Sequence, residues 1–304
     1  MCVYILLMKI LSIDVGIINL AYCVIESTPD DNFNICEWQI INLTDAKACC
    51  FINKNNKICN KRAKYLSADD KYACEAHKKK FNKLTHLQNS YKTPLNLLAT
   101  KLFEILDTKP NLLEVDTVVI ENQPTFLNPT MKTIAALLYG YFILRGIVEK
   151  ARTKSNITLV KFISPSNKLK VNKETTNKTL KSADKNDVYN VTKNLLGKEY
   201  CKALIKNDDV NYTFLLKQEK QDDYCDAFLQ GFHYLLCPNG VPEKYANILK
   251  EVNEVVAAKM LEKSKKKTLK KSLKVLPEEK TKKKTIKKSK VTPKVTSKVT
   301  PKVK

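Results

Sequence analysis

The chain has 304 residues, 43% of them hydrophobic, which excludes a largely unstructured protein and gives room for one large domain or two small ones. Its formal charge of +23 is unevenly placed: residues 259–304 hold 19 lysines and three glutamates, and residues 1–258 hold 35 basic and 28 acidic side chains. That asymmetry favours a polyanionic partner, most simply nucleic acid. Lysine outnumbers arginine 51 to 3, a ratio that reflects an A/T-rich genome more than the needs of a site. Ten cysteines without a secretory signal predict a reducing, intracellular compartment where thiols stay free or bind metal. The opening MCVYILLM is interrupted by Lys9 too soon for a membrane span, no other span or membrane partner is expected, and Met8 reads equally well as a start.

In chain order, KILSIDVGI reads as a strand closed by a glycine turn, and NLAYCVIES and NICEWQIINL read as two further strands separated by the turn-like TPDDNFN. Residues 45–80 break this pattern with cysteines and lysines. Residues 90–107 read as an amphipathic helix and VDTVVIENQP as a buried parallel strand. NPTMKTIAALLYGYFILRGIVEKA is a long helix with Asn128 as its cap and Pro129 in its first turn. A fifth strand, NITLVKFISP, follows. Residues 167–215 read as a polar insertion of weak helices and loops, QDDYCDAFLQGF as the start of the last core helix, and residues 243–262 as another helix. The expected domain spans 1–258, and 259–304 is expected to be a disordered basic tail, since VTPKVTSKVTPKVK has no aromatic residue with which to build a core. A meander followed by βαβ units makes an α/β fold: a five-stranded mixed sheet with helices on both faces.

Four acids stand where the pattern expects apolar or structural residues: Asp14 in the first strand, Glu121 closing TVVIE, and Asp223 and Asp226 opening the last helix. Asp223 and Asp226, three apart, share a helix face. With the first and fourth strands adjacent and the last helix packed across them, all four meet at one end of the sheet. Alone, such a cluster repels itself; with divalent cations it becomes an oxygen-rich site for Mg²⁺ or Mn²⁺. Two such ions suit phosphodiester hydrolysis and need no His or Cys nucleophile. Asp222 remains open as a further ligand, with Asp223 preferred. Any one of these acids alone reads more readily as a surface carboxylate or a helix cap than as a ligand.

LSIDVGIINLAYCVIE, VVIENQP, ISPSNKL and QDDYCDAFLQGF, in this order, resemble the successive motifs of RuvC-type Holliday junction resolvases, especially those of poxviruses, other large DNA viruses and fungal mitochondria. The likeness runs from about residue 8 to 237, without the cysteine segment and residues 170–215. It implies a ribonuclease H-like fold and a Mg²⁺-dependent endonuclease that cuts four-way DNA junctions as a homodimer in DNA recombination and repair or viral concatemer resolution. The work place it implies is the host nucleus or a viral replication site. By matching position, Asp14, Glu121, Asp223 and Asp226 inherit the catalytic, metal-binding role. Lys168 inherits a phosphate contact, against which stands a solvated surface lysine.

The segment ACCFINKNNKICNKRAKYLSADDKYACEAHKKK offers Cys59, Cys74 and His77 together with Cys49 or Cys50, a Cys₃His set suited to tetrahedral Zn²⁺. The alternative is a loop with free thiols. Lys61, Arg62, Lys64 and Lys78 to Lys80 flank the set and make it a DNA-facing module. Two other functions compete. An actin-like ATPase or kinase needs further glycine-rich phosphate loops, and the chain has only six glycines, no two closer than six residues. No nucleotide cofactor is therefore expected. A DNA-binding scaffold that has lost catalysis would tolerate loss of the acids, yet all four are present. Another ribonuclease H-like nuclease, acting on RNA–DNA hybrids or on ends, would use similar chemistry.

Overall fold

The computed structural model describes the backbone of residues 7–87, 92–124, 128–182, 191 and 195–274, with side chains as far as residue 262. Strand β1 (Lys9–Asp14) is apolar on both faces because it is the middle of the main sheet. It runs antiparallel to β2 (Leu20–Thr28), which pairs with β3 (Asn32–Ile41). On its other side β1 is parallel to β7 (Thr117–Glu121), and β7 is parallel to β8 (Leu159–Ile163), giving the order β3-β2-β1-β7-β8. This is the expected five-stranded mixed sheet. Asp30 and Asp31 turn β2 into β3 with φ of 63° and 54°, the doubly left-handed geometry that matches strand twist. In a glycine-poor chain, aspartate takes the place glycine usually fills there, since its short polar side chain tolerates this conformation.

Helix α1 (Leu95–Asp107) buries Leu98, Leu102 and Leu106 at intervals of four. It shares one face of the sheet with α2 (Pro129–Tyr141), whose Ile134, Ala135 and Leu138 are buried against the same core. Asn128 caps α2 by accepting from the Met131 N–H at 3.2 Å. The helix then widens into a π-helical stretch, Phe142–Val148, before α3 (Lys150–Thr153). Gly146 sits there because a Cβ would lie 2.7 Å from Ile157 Cδ1. Pro129–Val148 is, among the described residues, the one helical run long and apolar enough to cross a membrane by length and composition; its Ile134, Leu138 and Phe142 are fully buried in the protein core.

The opposite face is covered by the helix that QDDYCDAFLQGF opens, which lies over β1, β2 and β3 rather than over β1 and β7. Among the described residues α4 (Lys173–Ser182), α5 (Gly197–Leu204) and α6 (Asp209–Lys217) lead to it, and it is α7 (Gln221–Leu236). Phe228 and Phe232 of α7 flank Phe33 with ring centroids 5.5 Å away, and Trp38 Nε1 donates to the Tyr224 carbonyl at 3.0 Å. Gly231 allows this close approach, since a Cβ would meet Ser12 Cβ at 2.8 Å and Ile25 Cδ1 at 2.9 Å.

The insertion and the last helix also differ from the sequence-based expectation. The polar insertion at 167–215 contributes to the core: Tyr200, Cys201, Leu204 and Leu215 are buried, and α5 packs on α7. Its apolar residues are too thinly spread among Lys and Asn to register as a periodic pattern. The last helix, α8 (Glu243–Lys274), passes the expected end at residue 262, because its lysine-rich continuation contains no Pro or Gly before Lys274. By internal contacts the chain divides into Met1–Lys259 and Met260–Lys304; the tail expected to be disordered from residue 259 is helical as far as Lys274, and residues 275–304 lie outside the described residues.

The cysteine segment forms a small module with a sheet ordered β5-β4-β6 (Tyr72–Ala73, Tyr65–Leu66, Thr85–His86). It extends to His86, beyond the expected boundary at residue 80. Its turns again rest on non-glycine residues with positive φ: Asn56, Asn60, Asp70 and Lys83.

Candidate active site and metal centre

Parallel pairing of Ile13 with Ile120 sets the ends of β1 and β7 side by side, so the next residue on each strand, Asp14 and Glu121, reaches the same edge of the sheet. α7 begins at that edge and delivers Asp223 and Asp226 in its first turns. All four carboxylates line one cavity of about 660 Å³, together with Lys168, Gln123 and Asn19. Each is at most 8% exposed. Four acids this buried demand positive charge in the cavity.

Part of that charge is Lys168, carried on the 3₁₀ stretch Pro165–Asn172 that follows β8. Its Nζ lies 2.7 Å from Asp226 Oδ2 and 3.7 Å from Glu121 Oε2. Burial alone would lower the pKa of this ammonium, but Asp14, Asp226 and Glu121 surround it and hold it well above the usual lysine range. Lys168 is therefore neither a solvated surface lysine nor, in this state, turned outward toward a phosphate. Sequence reasoning placed it near the acids and missed that it sits among them. One lysine does not satisfy the cluster: Glu121 Oε2 is buried and accepts no hydrogen bond. A hard, oxygen-seeking cation fits this donor set.

Replacing Lys168 by Met should destabilise the metal-free protein by about 3 kcal/mol, the usual cost of removing one partner from a buried ionic group. Thermal melting with and without Mg²⁺ checks this. Mg²⁺ should raise the melting temperature of the variant more than that of the wild type, because the cation then meets an uncompensated cluster.

Asp222 separates from its neighbour. It faces a second cavity, of about 710 Å³, lined also by Lys61, Arg62, Lys198 and Lys220, whereas Asp223 faces the acids. Gln123 and Asn19 were missed as site residues. Gln123 stands two positions after Glu121, so the two-residue period of an extended chain would have flagged it. Gly16, at the turn between β1 and β2, is required there: a Cβ would come within 2.2 Å of the Asn19 carbonyl oxygen.

In the small module, Cys49, Cys59, Cys74 and His77 bring their ligand atoms within 4.8 Å of one another. Cys49 therefore joins the set. Cys50 is exposed, with its Sγ 3.4 Å from the Tyr72 carbonyl oxygen. Cys59 and Cys74 sulfurs are 3.8 Å apart, and His77 Nδ1 is 3.6 Å from Cys49 Sγ and 3.5 Å from Cys74 Sγ. A tetrahedron with Zn–S of about 2.3 Å and Zn–N of about 2.05 Å has edges of about 3.8 Å between sulfurs and about 3.6 Å between sulfur and nitrogen. A disulfide would need about 2.05 Å. The donor set thus fits zinc at the level of individual distances. Phe51 packs on the His77 ring with centroids 4.1 Å apart and fixes its orientation. Of the basic residues expected to face DNA, Lys61 and Arg62 line the second cavity. Lys78 instead pairs with Glu75 at 2.5 Å and, with Tyr65, holds the Glu75 carboxyl down at about 2.

The mixed sheet β3-β2-β1-β7-β8, with acids at the ends of β1 and β7 and in the first turns of α7, is the arrangement expected of a ribonuclease H-like fold. A family model described as mitochondrial resolvase Ydc2 / RNA splicing MRS1 matches residues 10–126, a span that contains Asp14 and Glu121. Protein L451 of Acanthamoeba polyphaga mimivirus is 32% identical over an alignment covering 75% of this chain and 74% of its own. At that identity and coverage the chain and the mimivirus protein belong to one family, and residues 10–126 of this chain carry the match to the resolvase model. Among solved structures, the yeast mitochondrial Holliday junction resolvase Ydc2 aligns with 15% identity over 82% of this chain and 85% of its own, at a TM-score of 0.40. The fowlpox virus Holliday junction resolvase aligns with 14% identity over 75% and 96%, at 0.37.

Proposed function

We propose that this protein is a metal-dependent endonuclease that resolves four-way DNA junctions, acting as a homodimer during viral genome recombination or concatemer processing. The observation that carries the reading is the convergence of Asp14, Glu121, Asp223 and Asp226 on one cavity in a chain that matches the resolvase model. In this proposal the four carboxylates hold Mg²⁺ or Mn²⁺. Such ions, when bound, stabilise charge on a phosphodiester and make water a competent nucleophile at neutral pH. The chain's own residues do the rest. Asp14, Glu121, Asp223 and Asp226 would hold such ions at the edge of the sheet where the backbone phosphate comes to lie. Lys168, whose ammonium lies beside Asp226 and Glu121, would balance phosphate charge of a backbone bound at the cluster. The rim formed by Asn19 and Gln123 supplies polar groups next to the reacting strand. Zinc, held by Cys49, Cys59, Cys74 and His77, is structural in this reading, since four protein ligands leave no open position for chemistry. Exposed Leu144, Ile147 and Val148 at the end of the long helix favour a dimer contact there.

A labelled four-way junction, a linear duplex and an RNA–DNA hybrid, each incubated with Mg²⁺ or EDTA, test the proposal. Paired symmetric cuts in the junction alone, lost in EDTA, are expected. Equal cutting of the linear duplex would exclude a resolvase, and preferred cutting of the hybrid would indicate a ribonuclease H. The family description also includes an RNA-splicing protein; metal-independent binding without any cleavage would favour that second, non-catalytic role.

A further inference from the structure

The second cavity opens directly beside the acidic one. The two share Ile18 and Asn19 as a common wall, and the adjacent residues Asp222 and Asp223 line one each. Their charges are opposite in sense. The acidic cavity sets four carboxylates against Lys168, whereas its neighbour sets Lys47, Lys61, Arg62, Lys198 and Lys220 against Glu219 and Asp222.

We propose that this cleft is a second phosphate-backbone site, which receives the DNA strand as it leaves the acidic cluster and is held in shape by the zinc module. The inference rests on the nuclease reading and extends it to where the rest of the DNA lies.

In a chain with 51 lysines a basic patch arises easily by chance, so the argument rests on construction. The five cations come from three separate stretches of chain: the zinc module, helix α5 through Lys198, and the residue before α7. They converge on a concavity rather than spreading over a convex face. The module's share is rigidly placed. The Cys49 N–H donates to the Lys61 carbonyl at 2.8 Å, the Ala63 N–H donates to the Lys47 carbonyl at 2.8 Å, and Ala48 bridges Arg62. Lys47, Lys61 and Arg62 are thereby strung on the two backbone segments that also carry the zinc ligands Cys49 and Cys59.

A further link ties the module to the catalytic helix. Asn60, next to ligand Cys59, donates its side-chain N–H to Glu219 Oε1 at 2.7 Å, just ahead of the start of α7. Glu219 is thus engaged by the module itself. The guanidinium of Arg62 also suits phosphate oxygens better than an ammonium does, because its planar fork can donate two bonds at once. The zinc module then has a use beyond its own stability: it fixes cations at one side of the strand that the acids cut.

The test uses the full chain carrying Asp223→Asn, so that binding is read without turnover. Dissociation constants for a four-way junction and for a linear duplex are measured across a salt series. Each duplex phosphate neutralised contributes about 0.9 to the slope of log affinity against log salt. Lys61→Ala, Arg62→Ala, Lys198→Ala and Lys220→Ala together should lower that slope by about 3. A control with Lys150→Ala, Lys178→Ala and Lys250→Ala, exposed lysines elsewhere, should lower it by less than about 1. The single variant Lys198→Glu, made outside the zinc module, should weaken binding with zinc content and melting temperature unchanged. Removal of zinc should lower the slope further in the parent and have little added effect in the fourfold variant. Equal slopes for the fourfold variant and the control, or no effect of Lys198→Glu in a folded protein, would overturn the proposal. If the native chain cuts no branched DNA while the slope still falls as stated, the nuclease reading fails and the cleft stands; the reverse pattern leaves the nuclease and removes the cleft.

Discussion

Asp223→Asn should abolish junction cleavage while leaving junction binding within about twofold of wild type. The substitution keeps the shape of the side chain and removes one anionic oxygen donor from a site lined by four carboxylates. Loss of partners that merely orient metal ligands costs about 10–100-fold in affinity or activity, so removal of a ligand itself should cost more than about 100-fold in cleavage rate. Binding should survive for a different reason. Phosphate contacts made by lysine and arginine dominate affinity for DNA, and apart from Lys168 the basic side chains assigned to the backbone lie outside the acidic cavity. Gel shift and single-turnover cleavage on the same junction, at several Mg²⁺ concentrations, check both halves. Retained cleavage would show that the carboxylate of Asp223 is dispensable and that the cluster was assigned too widely.

Cys74→Ser should empty the zinc site and unfold the module around it. Few large apolar side chains hold this segment together: Ile52 and Ile58 are 57% and 52% exposed, and its sheet has strands of only two residues. Metal binding in small domains contributes on the order of 10 kcal/mol to folding, far more than such a core can replace. Cys74 is itself buried and touches both Cys59 and His77, so serine leaves no substitute of suitable softness or reach. We expect zinc content to fall from one ion to near zero per chain. Limited proteolysis should then cut within residues 45–86 while the sheet domain persists. Loss of Zn²⁺ together with reprotonation of the thiolates changes the net charge by only about one unit, so a large change in DNA binding reports the misplaced Lys47, Lys61 and Arg62. Full zinc occupancy in the variant would remove Cys74 from the ligand set. The duplex and hybrid controls for cleavage, and the melting behaviour of Lys168→Met, examine the acidic site from the side of substrate and of charge.

Much of the sheet was legible because its residues obey short-range rules. β1, β2 and β3 are runs of β-branched and aromatic residues separated by turn residues, and Asn128 with Pro129 announces the start of α2. The four acids were legible because they interrupt apolar patterns whose ends the topology forces together. The insertion at 167–215 was harder, since Tyr200, Cys201 and Leu204 reveal their burial only when α5 meets α7. Helix α8 was underestimated because its amphipathic start gives way to a lysine-rich run that carries no apolar stripe.

The amino-acid sequence alone determined which side chains are available: acids at strand and helix ends, a Cys₃His composition, and an excess of positive charge. Those are properties of composition and local period, which a linear reading can count. Tertiary structure alone decided between Cys49 and Cys50, placed Lys168 among the carboxylates, turned Asp222 toward a different cavity from Asp223, and set a basic cleft beside an acidic one. Each of these depends on which direction a side chain leaves a folded backbone and what lies within a few ångströms of it, and residues separated by scores of positions carry no local mark of that proximity.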